Sequence, residues 1–280
     1  MKLAILNYHG FETHAGQYEW LGEERPYVVD ASVVRAQMEE LVRKGYDSLT
    51  LAALKSWNSA NGGGSLPGCD PAATGPVPGT YPAPLAVMIT LDDGLKSHGE
   101  VAAPIFEKYG VKAVFFIPVE LIGQKGHMDW EELKDLIRRG FEIGSHGWRH
   151  IPLTGLSEKE LRQEFERSKE ILENKLGVPI KSFSIPRGFF NGAMREIAHA
   201  AGYEFLFTSS FDTNAKGCDL FELKRMVVKK STTDRQFSAM IEGNLGFRRT
   251  WEKMKENVRG NVPPAFYDAL AAAKRMGSGS

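Results

Sequence analysis

The chain has 280 residues, 42% of them hydrophobic and 25% charged, with 35 Lys and Arg against 35 Asp and Glu. This balance leaves no basic surplus for nucleic-acid binding, and no apolar run reaches the roughly 18 residues of a membrane span. The first ten residues lack the long apolar stretch and small-residue cleavage site of a secretory leader, so a cytoplasmic protein without a membrane span is the expectation.

In chain order, short apolar runs alternate with helical patterns. Residues 3–8 form the first predicted strand. Asp30 caps a helix whose Val33, Val34, Met38, Leu41 and Val42 share one face, and Gly45 ends it. A strand is predicted at 48–51. Residues 58–84 are rich in Gly, Pro and Ser, with a Gly62-Gly63-Gly64 run, and are expected to form a surface excursion. Strands follow at 86–91 and 113–117. Asp129 opens a helix closed by Gly140, and a strand is expected at 141–144. Ser157 and Glu160 form a capping box for a long helix ending at Gly177. A strand at 182–185 precedes a helix from Asn191 or Gly192 to about Gly202, and strands are expected at 205–208 and 225–229. From Ser231 the chain turns helical and amphipathic, with Pro263 and Pro264 separating two late helices. Residues 277–280 look like a tail or linker scar, and 1–276 are expected to form one domain. Strands rich in Val, Ile and Phe with little alternation suit a parallel sheet covered on both faces, hence an α/β fold.

Cys69 and Cys218 have no partner at C-x-x-C spacing, which excludes a zinc knuckle; two free thiols are expected, with a single bridge as the alternative.

Three clusters follow predicted strands, where α/β folds build their sites. Thr90-Leu91-Asp92-Asp93-Gly94 sets two carboxylates at a strand end. Ser145-His146-Gly147-Trp148-Arg149-His150 places two imidazoles four residues apart. Ser184-Ile185-Pro186-Arg187-Gly188 fixes a turn that exposes backbone N–H groups. Singly, each is a common turn or a chance histidine pair. Together, one Asp and two His supply three ligands to a divalent ion and leave positions open, the catalytic arrangement for zinc; other divalent ions fit the same donors.

In this order the motifs resemble those of the polysaccharide deacetylases, carbohydrate esterase family four, the NodB-homology group. Residues 90–94 resemble its T-F-D-D-G motif and 145–150 its S-H-[ST]-x-x-H motif. The stretches 130–146 and 153–177 resemble it too, as do Tyr8-His9-Gly10 and Gly45-Tyr46. The resemblance implies a distorted (β/α) barrel with fewer than eight regular units. It also implies metal-dependent removal of N-acetyl groups from an amino sugar or glycan, with Asp92 as general base and Asp93, His146 and His150 as ligands of a divalent metal, zinc first. The Arg187 backbone N–H would face the oxyanion.

Two departures stand out. The family's Arg that orients the base is replaced by Ser184, and Arg225 is the expected substitute. The family's late Leu-x-His motif has no match after Lys224, so the proton donor is expected to be Asp92 itself or His9. Trp148, Pro186 and Phe189 are the expected sugar contacts. A carbohydrate-binding protein with impaired catalysis, or a hydrolase of another small amide, is the alternative.

Overall fold

The computed structural model describes residues 2–59, 85–246 and 250. Strand β1 (Lys2–Tyr8) is buried beyond its first residue. A separate parallel pair, β2 (Phe11–Glu12) and β3 (Val29–Asp30), leads into α1 (Ala31–Arg43). Asp30 caps α1 by accepting the Ser32 N–H, and Val34, Met38 and Leu41 form its buried face. After β4 (Tyr46–Ser48) comes α2 (Leu51–Ser59). This corrects the strand predicted at 48–51. Leu51, Leu54 and Trp57 recur at helical rather than strand spacing, and the Leu51 N–H donates to the Glu142 carboxylate at 2.9 Å. Residues 58 and 59, assigned to the excursion, end this helix, while 60–84, with Cys69, lie outside the described residues. Among the described residues Cys218 has no disulfide partner.

Strand β5 (Leu85–Leu91) is followed by a π-helical turn (His98–Ala102) that runs into α3 (Ala103–Lys108), a helix the sequence pattern did not signal. Then come β6 (Val114–Ile117), α4 (Trp130–Arg138) and β7 (Glu142–Ser145). Asp129 and Glu132 form a capping box on α4, as do Ser157 and Glu160 on α5 (Glu158–Arg162). The long helix predicted there is interrupted by a π turn (Gln163–Arg167) before α6 (Ser168–Leu176), and Gly177 closes it in the left-handed conformation. Strand β8 (Ser182–Ser184), α7 (Gly192–Ala200), β9 (Phe205–Phe207), β10 (Asn214–Ala215), β11 (Met226–Val227) and α8 (Asp234–Glu242) complete the described chain. The late helices expected around Pro263 lie outside the described residues.

Parallel strands run in the order β11-β1-β5-β6-β7-β8-β9, with β4 beside the start of β5 and β10 antiparallel to the start of β1. The sheet curls on itself. Leu223 bridges to Phe207 of β9, and three residues later Met226 pairs with Leu6 of β1. Segment 223–227 is therefore the seam of a distorted barrel with fewer than eight units. Alternate strand residues serve two cores. Leu3, Ile5, Met88, Val114, Phe116, Phe205 and Phe207 pack inside with Leu54 and Trp57 of α2. Ala4, Leu6, Val87, Ile89, Phe115 and Ile117 pack outward against the helices. Contacts of α2 reach Glu142 and Glu204 at strand starts, so this helix covers the N-terminal mouth. The C-terminal mouth is left for the site.

Candidate active site

β5 ends at Leu91 and delivers Asp92 and Asp93; β7 ends at Ser145 and delivers His146; β8 ends at Ser184 just before the Pro186–Gly188 turn. Three non-glycine residues among those described adopt positive φ: Asp93 at 82°, His150 at 55° and Arg187 at 59°. Each such residue costs about 1–3 kcal/mol, a cost that folds concentrate where function requires it. All three lie at this mouth.

Asp93 Oδ1 lies 3.0 Å from His150 Nε2 and 3.4 Å from His146 Nε2. One ligand atom from each of the three residues falls within 4.8 Å of the others. His146 Nδ1 is 2.8 Å from the Ser184 carbonyl, to which it donates, and this bond fixes the ring with Nε2 turned toward Asp93. A ligating histidine normally has this second partner. Burial opposes ionisation of Asp93, but hydrogen bonding to His146 and His150 outweighs it and holds the carboxyl well below its ordinary range. One anionic oxygen and two imidazole nitrogens thus converge, a donor set that fits a divalent cation with positions left open.

Asp92 is buried and points to a different partner. Arg225, fully buried at the seam, donates from Nη1 to Asp92 Oδ1 at 2.8 Å and from Nη2 to Oδ2 at 2.9 Å. The guanidinium also donates to the Thr208 carbonyl and the Ser184 hydroxyl. Ser184 occupies the position where the resemblance expects an arginine, so the guanidinium from the residue before β11 lies against the side chain that replaced it. Asn7 Nδ2 adds a third hydrogen bond to Asp92, at Oδ2. Burial alone would raise the Asp92 pKa, but the charge of Arg225, then that of His146, drives it far below the usual carboxylate range.

His9, at the end of β1, packs its ring 5.2 Å from that of Tyr27, and its buried Nδ1 has no hydrogen-bond partner among the described residues. Burial lowers its pKa; Asp93 and Asp92 oppose this without reversing it. Its carbonyl accepts from Nε2 of the fully buried His98, whose pKa burial pushes down to about 4. Arg187 is exposed on a left-handed turn whose charge reaches His150. Gly188 is obligatory there, since a Cβ would collide with Ser209. Pro186 is buried, and a Cβ at Gly147 would stand 3.8 Å from its Cγ, so this ring packs under the histidine loop. Phe189 is half-buried. Trp148 is also half-buried, with the Arg167 guanidinium 3.7 Å over its ring.

The sequence-based reading missed Asn7, His98 and Glu164. Asn7 is a polar residue inside an apolar strand, a signal that was available. His98 and Glu164 sit on π turns, where the helical period that would mark a buried face is broken.

Fold and site together define an α/β barrel with three donors that could hold a cation and an arginine-paired carboxylate at the strand C-termini. Residues 81–206 match the family model of polysaccharide deacetylases. YxkH of Bacillus subtilis, whose name places it provisionally among the polysaccharide deacetylases, is 30% identical over 161 residues, 58% of each chain. A peptidoglycan-N-acetylglucosamine deacetylase of Bacillus cereus is 27% identical over 124 residues, 44% of this chain and 56% of that one. The chain matches between 17% and 58% of the length of these and other curated relatives. Among solved structures, the Streptococcus pyogenes deacetylase PplD in complex with acetate superposes with a TM-score of 0.71 at 20% identity, over 86% of this chain and 98% of that one. IcaB from Ammonifex degensii gives 0.68 at 20% identity, over 86% and 96%. Through residues 81–206 the chain is similar to the polysaccharide deacetylase family.

Proposed function

We propose that this protein is a metal-dependent hydrolase that removes acetyl groups from N-acetylated amino sugars of a glycan. The observation that carries this reading is the convergence of Asp93, His146 and His150 within 4.8 Å beside the ion-paired Asp92. Asp93, His146 and His150 would hold the ion, with zinc first among divalent candidates. When bound, such an ion supplies Lewis acidity and lowers the pKa of water toward about 7.

The protein's own residues supply the remaining steps. Asp92 takes the proton of the attacking water. Its Oδ2 accepts from both Arg225 and Asn7, whereas the hydrogen bond described at Oδ1 comes from Arg225 alone, so Oδ1 keeps a lone pair for that proton. Arg225 stops the carboxylate from rotating and keeps it ionised. The Arg187 turn offers its backbone N–H to the oxygen of the acetyl carbonyl as charge develops there. The amine then leaves with a proton. Burial disfavours the protonated form of His9, which favours return of the proton from Asp92. The products are acetate and a free amino sugar. The half-buried rings of Trp148 and Phe189 are the proposed sugar contacts.

The test is elemental analysis of the purified protein coupled to acetate release from N-acetylglucosamine oligomers, chitin and peptidoglycan, with and without a chelator. The expected result is about one divalent ion per chain and acetate release that the chelator stops. Acetate release unaffected by exhaustive metal removal would overturn the proposal, and so would its absence from every substrate in metal-loaded protein.

A further inference from the structure

The two candidate ligand histidines stand at the ends of one loop, residues 146–150, and a single buried carboxylate grips the span between them. Glu164 has no exposed surface. Its Oε2 accepts the main-chain N–H groups of Trp148 at 2.8 Å and Arg149 at 3.1 Å, and its Oε1 accepts Arg149 Nε at 2.6 Å. Gly147 makes the approach possible: its φ is 83°, and a Cβ there would stand 3.1 Å from Oε2. Glu164 lies on the π turn 163–167 between α5 and α6. Such turns insert a residue into a helix and recur at functional sites.

The neighbouring ties leave this task to Glu164. The loop carbonyls are engaged on the other side, Gly147 O by the Val119 N–H and Trp148 O by the Glu120 N–H. Ser168, one turn along the helix, donates to the Glu164 carbonyl and accepts from Ser145, whose oxygen accepts the Gly147 N–H. Loop amides are thus drawn toward the helix and loop carbonyls toward residues 119–120. The outcome is a turn tight enough to return His150, at φ 55°, to Asp93 and His146. Charge-assisted hydrogen bonds from fixed main-chain donors are among the strongest available, and they hold this turn without ordering another flexible side chain.

We propose that Glu164 is the positioning residue of the metal centre, acting through loop 146–150 to preorganise the two histidines for the ion. This rests on the metal-site reading above. The test compares wild type, Glu164→Gln and Glu164→Asp, each stripped of metal. Zinc affinity is measured by competition with a chromophoric chelator, the cobalt(II) absorption spectrum is recorded, and metal-free unfolding is the control. Glutamine turns an amide N–H toward Arg149 or the loop donors; aspartate keeps the charge but withdraws it by one methylene. The expected result is about a 10–100-fold loss of zinc affinity in Glu164→Gln, with an altered cobalt spectrum, and a smaller loss in Glu164→Asp. A folded Glu164→Gln with wild-type affinity and spectrum would overturn the inference. If that variant does not fold, wild-type affinity in Glu164→Asp overturns it equally. If wild type itself binds neither ion, the metal reading fails instead.

Discussion

The two halves of the site are built from different material. The Asp92 half is built tight against strand ends: Asp92 follows β5, Ser184 closes β8 and Arg225 precedes β11, with Asp92 and Arg225 no more than 5% exposed along their side chains. The ligand half depends on a loop and strained residues. His150 is 33% exposed along its side chain, Asp93 22%, and both sit at positive φ. A carboxylate locked into strands keeps its charge and direction through a reaction cycle. A ligand set carried partly on a loop can adjust to an ion and its changing coordination, but it needs bracing from outside. Stability should therefore reside in the first half and ion affinity in the second, so that mutations in the two halves separate these properties.

The largest expected effect lies in the ligand half. His146→Ala or Asp93→Ala should leave zinc below one tenth of an equivalent by elemental analysis and abolish acetate release, while the fold persists by circular dichroism. Substantial zinc retention in either variant would refute the ligand assignment. Asp92→Asn should keep its zinc and lose turnover by about 10²–10⁴-fold, the range for a lost general base; wild-type turnover would remove Asp92 from the chemistry.

Arg225→Ala tests the strand half. It strands a buried carboxylate and should cost about 3–5 kcal/mol in denaturant unfolding. A pH series sharpens the point. The folded Asp92 pKa lies below the ~3.9 of a free aspartate, so the unfolded chain takes up the proton first as pH falls. The pair's contribution is complete above about pH 5 and is lost as pH drops toward the folded pKa. Arg225→Ala should flatten that acid slope; a slope identical to wild type would show that the pair does not set it. The smallest effect is expected at His9. Because burial disfavours its charged form, His9→Ala should change turnover by less than about tenfold, below the usual range for a general acid or base, and leave the alkaline limb of the pH profile in place. Loss of that limb would restore His9 as the proton donor.

Much of the scaffold was legible because its signals are local. Asp30, Asp129 and Ser157 are legible as helix caps from residue type and spacing, and Asn191 as one of two candidates with Gly192; each of the four side chains accepts the expected main-chain N–H. The α2 segment was misassigned because Thr50-Leu51-Ala52-Ala53-Leu54 is a short apolar run, in which period alone does not separate a strand from a buried helix. In the site, the adjacency of Asp92 and Asp93 and the spacing of His146 and His150 marked the donors. How Arg225 meets Asp92 across 133 residues depends on how the sheet curls, and a linear pattern carries no such information; only the family resemblance pointed to a guanidinium there. Glu164 was invisible for a related reason. Its partners are main-chain amides, which leave no mark in residue identity.

Segment 223–227 joins β9 to β1 and carries Arg225 at its centre. Opening that join would separate the barrel's two edges and withdraw the counter-ion from Asp92 in the same motion. Fraying there would thus switch off the reactive carboxylate while much of the hydrophobic interior stayed intact. Amide exchange at 223–227, compared with loss of turnover as denaturant rises, should follow a single curve; divergence of the two would show that closure and competence are separate events.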